Sequence, residues 1–291
     1  MGKKTGFWNR MGLAAACCLA AWWAACSVME RPKDIEKISR LGASMHARFG
    51  LKLFGELVRE YPGENIFISP LSAAMSLGAV YNGAGGETAA EISQAMQIPG
   101  TPVEELNRAS AELLESTRQL DPQARLTEAN SLWGCHIRFK PEFLNRVRRA
   151  HRAEVKMVDF ANPGAAAAIN AWVREKTDGR IEELVGHISP DAVLVLLNAV
   201  YFKGDWSVEF KKSMTRERSF TRLDGSTKKH PMMHQAGAYD HLETDVFQAV
   251  SLPYGDGRMS LYVFVPRRIL GLGEFYKTLD EARWAGWLSR F

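Results

Sequence analysis

From Ile35 to Tyr61, apolar residues recur every three to four positions, at Ile38, Leu41, Met45, Phe49, Leu53 and Leu57. That spacing lines one face of an amphipathic helix, which Pro62-Gly63 ends. The stretch NIFISPLSAAMSLGAVYNGAGG (65–86) then reads as a short apolar strand followed by a helix, with Ser69 as N-cap and Pro70 at the first helical position. Thr88 and Glu91 have capping-box spacing at the head of a further helix through Met96. Beyond it the pattern predicts a strand at 127–133, a basic helix at 140–152, a strand at 155–160 and an alanine-rich helix at 164–178. The run at 192–203 is long and apolar enough for a central strand buried on both faces, yet it carries Asn198 in its middle. Leu223-Asp224-Gly225-Ser226 has hairpin-turn chemistry. Gly255-Asp256-Gly257 joins apolar strands at 247–254 and 259–265, and a helical stretch covers roughly 271–290. Helices come first and antiparallel-looking strands later, with no repeat and no long linker. The fold class is α+β in a single domain.

Composition supports a packed body: of 291 residues, 46% are hydrophobic and 24% charged. The N-terminus changes the charge. Lys3, Lys4 and Arg10 precede an uncharged stretch from Met11 to Ala25 that ends in small residues, the layout of an export signal. Residues 1–25 therefore read as a signal peptide, 26–35 as a tether and 36–291 as the folded domain. Removing the three basic residues takes Lys+Arg from 37 to 34 against 33 Asp+Glu. Near neutrality and the lack of a like-charge block argue against nucleic acid as a partner. Trp23-Ala24-Ala25-Cys26 resembles a bacterial lipoprotein processing box, with Trp23 in place of the usual aliphatic residue. Its reading is export with a lipid anchor at Cys26 holding the protein to the cell envelope; the alternative is an ordinary secretory signal with an incidental cysteine. Cys17 and Cys18 leave with the signal, so Cys135 alone remains in the body and no intramolecular disulfide framework forms.

Several chemistries have no support. No Gly-x-Ser-x-Gly elbow occurs, and Asn82–Glu87 (NGAGGE) lacks the Lys-Ser/Thr of a phosphate loop, so it reads as a helix C-cap and turn. His230 and His234 are four apart, but Pro231 and the preceding hairpin place them on extended chain, where such residues lie far apart. No metal or other cofactor is expected. Ser69 and Ser72 lack a local base, which leaves capping and a buried hydrogen bond as their roles. The chain does not read as an enzyme.

Five stretches in order resemble the serpin family: NIFISPLSAAMSLGAVYNGAGGETAAEISQAM (65–96), INAWVREKTDGRIEELV (169–185), LLNAVYFKGDWSVEF (196–210), HPMMHQAGAY (230–239) and AVSLPYGDGRMSLYVFVP (249–266). The resemblance runs from about residue 36 to the end. It implies a serpin-like fold, with N-terminal helices packed on large, mostly antiparallel sheets. It also implies inhibition of serine or cysteine proteases by conformational trapping: a cleaved bait loop inserts as a new strand of a metastable sheet and carries the protease with it. By position, Ser69, Ser72 and Asn198 match the family's shutter residues, and Trp206 matches its breach tryptophan. Capping, packing and a satisfied core amide are the plain structural roles of the same positions.

One departure matters. Within 36–291 no segment resembles the bait loop, its Glu/Gly/Thr/Ala-rich hinge or the family's closing strands. The expectation is a C-terminally incomplete domain, not inhibitory by itself, with strand edges and apolar faces uncovered. An alternative activity is an envelope module that accepts a peptide strand at an open sheet edge. In the family, the Asn also shares its network with a His on a later strand, so Asn198 is expected here without that partner.

Overall fold

The computed structural model describes residues 40–118, 121, 123–267 and 271–291. Among the described residues four helices come first: α1 (Arg40–Glu60), α2 (Pro70–Tyr81), α3 (Gly86–Ala95) and α4 (Val103–Arg118). Met45 and Phe49 of α1, Ala74 of α2 and Leu106 of α4 meet Met96 and Ile98 in one apolar cluster. Pro70 supplies the pre-set φ of a first helical residue, and the Ser69 hydroxyl accepts from the Ser72 N–H at 3.3 Å.

Two local expectations need correcting here. Residues 65–68 form no strand: they pair with nothing among the described residues, and Phe67 is fully exposed. A strand needs a ladder partner, which apolar sequence alone does not provide. Thr88 is not a cap either, because α3 begins two residues earlier with Gly85 at the N-cap. The glycine at 86, with φ +57, opens the backbone into the helix sooner than the Thr-x-x-Glu spacing predicts.

The first sheet contains β1 (Ala124–Gly134), β2 (Ala153–Met157) and β3 (Leu194–Gly204) in the order β2-β1-β3. β1 runs parallel to β2 and antiparallel to β3. The apolar run of β3 predicts a central strand buried on both faces, and helices do cover both faces of its first half, Leu196 on one side and Val195 and Leu197 on the other. Among the described residues the strand is paired on one side only, and of its residues only Ala199 is fully buried. Helix α5 (Pro141–His151) links β1 to β2, and α6 (Ala165–Lys176) follows β2.

Side-chain alternation gives the sheet two different faces. Leu132 of β1 and Leu196 of β3 point towards Ala79 of α2 and Val147 of α5. Trp133, Val195 and Leu197 point the other way, onto Ile169, Trp172 and Val173 of α6. Strand β2 ends at Met157, short of the 155–160 predicted, because Asp159 turns the chain: its carboxylate accepts the Ala161 N–H at 3.0 Å.

The later part holds the hairpin β4 (Arg216–Thr221) and β5 (Thr227–Met232), and a second sheet, β6 (His241–Glu243), β7 (Phe247–Tyr254) and β8 (Met259–Pro266). Gly225 sits at φ +80 in the predicted turn, where a side chain would strain. The C-terminal helical stretch is two helices, α7 (Gly271–Lys277) and α8 (Glu281–Leu288), the second capped by Asp280, whose carboxylate accepts the Arg283 N–H at 2.8 Å. They close Phe275 and Trp287 over Phe247.

Candidate functional site

The register of the first sheet sets Asn198 of β3 directly opposite Asn130 of β1. Directly opposed residues of an antiparallel pair share a face, so both amides point to the side covered by α2 and α5. There Asn198 Oδ1 accepts the Ser72 hydroxyl, and Asn198 Nδ2 donates to Asn130 Oδ1 at 2.5 Å. Asn130 Nδ2 then donates to the backbone carbonyl of His151 at 2.8 Å. A line of hydrogen bonds thus runs from the cap of α2 through β3 and β1 to the end of α5. Of the four residues the sequence singles out, the structure joins Ser69, Ser72 and Asn198 in this line. Asn198 makes its bonds to Ser72 and Asn130.

His151 extends the polar core. It is wholly buried against Gly78 of α2, where an added Cβ would lie 2.7 Å from the ring. Asn82 and Asn107 form a reciprocal amide pair, each Nδ2 donating to the other's Oδ1 at 2.8 Å. Asn82 spends its second hydrogen on the Gly78 carbonyl at 2.9 Å. With both hydrogens committed, Asn82 has none for the imidazole 3.3 Å away, so His151 Nε2 carries the proton and donates to Asn107 Oδ1 at 3.2 Å. This leaves the Nδ1 lone pair bare and buried. Burial, with a contribution from nearby His46, lowers the His151 pKa to about 4. The ring is neutral near pH 7.

One turn of the pleat from Asn130, Glu128 sits on the same face of β1. Neither of its carboxylate oxygens has a hydrogen-bond partner among the described residues. Burial raises its pKa to about 7, against an opposing pull from Arg152. That guanidinium is already held by the Leu114 carbonyl at 3.0 Å and the Glu115 carboxylate at 2.5 Å. Glu128 and Arg152 line a cavity of about 500 Å³ between β1 and the ends of α4 and α5.

Trp206 lies elsewhere. Its ring stacks on Tyr254 with centroids 4.4 Å apart and meets the edge of Phe210 at 5.4 Å. A β-bridge between Trp206 and Tyr254 ties the exit of β3 to the end of β7. Gly204 is required at this crossing, since an added Cβ would lie 2.7 Å from both Phe202 and Tyr254. The tryptophan is half-buried, and among the described residues its ring contacts and its bridge involve Phe210 and Tyr254, not Ser72 or Asn198. Cys26, the signal peptide and the tether lie outside the described residues. His230 lies on β5, in extended backbone as the sequence predicts.

Sequence reasoning passes over Asn130, His151 and Glu128; it reads Asn82 as the helix C-cap, which it is, but not as a member of the polar core. A signal existed for Asn130, an amide inside the apolar strand ANSLW just as Asn198 sits in its own strand. Their pairing depends on register, which no local pattern specifies.

The pattern described as "Serpin (serine protease inhibitor)" matches residues 44–291. An uncharacterized serpin-like protein of Thermococcus kodakarensis is 37% identical over 229 residues, covering 76% of this chain and 52% of that protein. The leukocyte elastase inhibitor of Bos taurus is 34% identical over 246 residues, covering 82% of this chain and 64% of the inhibitor. The chain thus spans between half and two thirds of the length of these relatives. The crystal structure of the thermophilic serpin tengpin in its native state superposes with a TM-score of 0.77 at 27% identity, over 84% of this chain and 62% of tengpin. Helices packed on mixed sheets, the five sequence stretches in order and a match over most of the chain converge: the protein belongs to the serpin family.

Proposed function

We propose that residues 36–291 form the sheet-bearing body of a serpin-type protease inhibitor, in which the line Ser69–Ser72–Asn198–Asn130 holds β1 and β3 in register and controls entry of an additional strand. The observation that carries this reading is the direct Ser72–Asn198–Asn130 hydrogen bonding beneath the sheet, next to a strand paired on one side only among the described residues. Satisfied buried bonds fix register, and breaking them frees the strand. Inserting an extended segment along β3 would satisfy its open main-chain groups, the physical resource that strand addition uses. By the family's mechanism the partner is a serine or cysteine protease, and the protein acts as an inhibitor and not as a catalyst. The bovine relative, named as a leukocyte elastase inhibitor, supports that partner class.

The family's mechanism assigns trapping of the protease to a bait loop, which no stretch of residues 36–291 resembles, and strand acceptance is the part of that mechanism this sheet supports. Incubation with elastase-, trypsin- and papain-like proteases is expected to give no SDS-stable complex; such a complex would overturn this part. A synthetic extended peptide is expected to bind saturably and to protect the amides of β3 from hydrogen exchange. Unchanged exchange of Leu194–Gly204 at saturating peptide would defeat the strand-acceptance reading. The open edge of β3 equally favours a second role, a non-inhibitory module that binds extended peptides. Joining bait-loop and closing strands to residue 291 separates the two, since only the inhibitor gains covalent trapping.

We also propose that the protein is exported in a bacterium and held to the envelope by lipid on Cys26, on the strength of the basic, apolar and small-residue sequence from Lys3 to Cys26. Cys26→Ala is expected to release it to the soluble fraction, and unchanged fractionation would defeat the anchor.

A further inference from the structure

The structure brings together a cysteine, a histidine and an aspartate that the shutter does not use. Cys135 and His136 leave the end of β1, and Asp159 lies in the turn after β2. One donor atom from each lies within 4.8 Å of the other two. Adjacent residues on a strand point to opposite faces, so Cys135 and His136 should diverge. They do not, because His136 adopts the left-handed conformation at φ +52, which a non-glycine residue rarely occupies. The kink turns the imidazole back to the side of its neighbour's thiol. His136 Nε2 then stands 3.7 Å from Asp159 Oδ1.

The scaffold under these three groups is tied down. The Cys135 N–H donates to the Val193 carbonyl at 2.9 Å, and the Val158 N–H to the Gly134 carbonyl at 2.9 Å. Asp159 Oδ1 accepts the Ala161 N–H at 3.0 Å, and the Phe160 N–H points at Cys135 Sγ at 3.5 Å. Cys135 is free and buried, whereas His136 and Asp159 are exposed.

We propose that Cys135, His136 and Asp159 bind a zinc ion, with the buried sulfur as the inner ligand, the imidazole and carboxylate as outer ligands, and water in the fourth position. Donors around a tetrahedral zinc lie about 3.3–3.8 Å apart, given zinc–ligand distances of about 2.0–2.3 Å. The His–Asp pair is already at that separation, and side-chain rotation at the two exposed residues closes the rest. The set of one sulfur, one nitrogen and one oxygen suits zinc over magnesium or calcium, which take oxygen alone. Binding replaces the thiol proton, which leaves to solvent, so affinity rises with pH. The ion would staple the end of β1 to the turn after β2, beside the start of β3. No spacing in the sequence marks this site, since the kink at His136 creates it.

The test uses the 291-residue chain with Cys17, Cys18 and Cys26 replaced by serine, so that Cys135 is the sole thiol. Titration with Co2+ is expected to give a thiolate-to-cobalt charge-transfer band and visible bands of tetrahedral intensity, saturating at one ion per chain and abolished by Zn2+. His136→Asn suits the left-handed backbone and is expected to weaken binding by roughly 100-fold, Asp159→Asn by roughly tenfold, and Cys135→Ser to remove the charge-transfer band. If Cys135→Ser does not fold, the two exposed variants carry the test. Replacing His230 and His234 by alanine is expected to change nothing. Absence of the thiolate band, unaltered affinity in His136→Asn, or loss of binding in the His230/His234 variant would each overturn the proposal.

Discussion

Two cores of this molecule are built from opposite materials. Under the second sheet, Phe247 is wholly buried and meets Phe264, Phe275 and Trp287 at centroid distances of 5.2, 5.6 and 4.8 Å. Under the first sheet, the space between α2, α5 and β1 holds Ser72, Asn198, Asn130, Asn82, Asn107 and His151. Aromatic packing is strong and tolerant of direction, because it scales with area removed from water. Amide and hydroxyl contacts add little net free energy, about 0.5–1.5 kcal/mol each, but they fix position and are expensive to leave unmade. The aromatic core therefore holds its sheet shut, while the polar core keeps its sheet in one register until the bonds are broken together. That division suits the strand-accepting role proposed above.

Phe247→Ala should show the largest effect. Removing a ring at zero exposure that touches three others is expected to cost about 3–5 kcal/mol, read as a lower urea midpoint. Peptide acceptance at β3 should survive wherever the variant is folded. If peptide binding falls while the fold persists, the two cores are coupled and the comparison fails.

Asn198→Ala attacks the polar core instead. It leaves the Ser72 hydroxyl and Asn130 Oδ1 without partners, at a cost of about 2–3 kcal/mol. Local opening should outrun global loss: the amides of β3 should exchange faster than those of β7, which Phe247→Ala would not produce. A double-mutant cycle between Ser72 and Asn198 should give a coupling of about 1–2 kcal/mol. Additive effects would mean that the line is not a unit.

Acidity distinguishes the cores further, since the polar one contains titrating groups. Glu128 has its pKa raised from 4.5 to about 7, so the native state retains a proton that the unfolded chain gives up. Its contribution to stability therefore falls as pH rises between 4.5 and 7. His151, lowered from 6.5 to about 4, has the opposite sign: its contribution is present above 6.5 and is lost as pH falls through 4. Glu128→Gln removes the first effect. Relative to the native chain it is expected to be equal near pH 4.5 and more stable by about 1–3 kcal/mol at pH 8. A difference that does not change with pH would show that desolvation of this carboxylate is not the cause.

The comparison also explains what could be read from residues alone. Apolar periodicity gives α1, β7 and β8 to within a few residues, because each buries a continuous stripe. Ser69 and Pro70 mark the start of α2 through local chemistry. Helix α4 is overlooked although Leu106, Ala109, Ser110 and Leu114 form its buried face, since alanine and serine mask the stripe. The apolar run of β3 reflects the cover on both faces of its first half, whereas which strands lie beside it depends on pairing that no local pattern gives. The polar network is half-legible: Asn198 stands out against its neighbours, but Asn130 and His151 become its partners only through register and helix docking.

The smallest effect belongs to the first member of the line. Ser69 caps α2 by accepting the Ser72 N–H, and Ser72 in turn holds Asn198. If Ser69 is a cap alone, Ser69→Ala should cost about 1 kcal/mol and Ser69→Gly only a few tenths, because glycine is tolerated at an N-cap. If it also orients Ser72 for the proposed gate, both variants should speed amide exchange in β3 beyond what their loss of stability explains, and Ser69→Thr should restore it. We expect the second pattern. The cap fixes the turn of α2 from which the Ser72 hydroxyl reaches Asn198, so loosening it loosens the aim of that bond. Exchange in β3 that simply follows global stability would reduce Ser69 to a helix cap, and the gate would begin at Ser72.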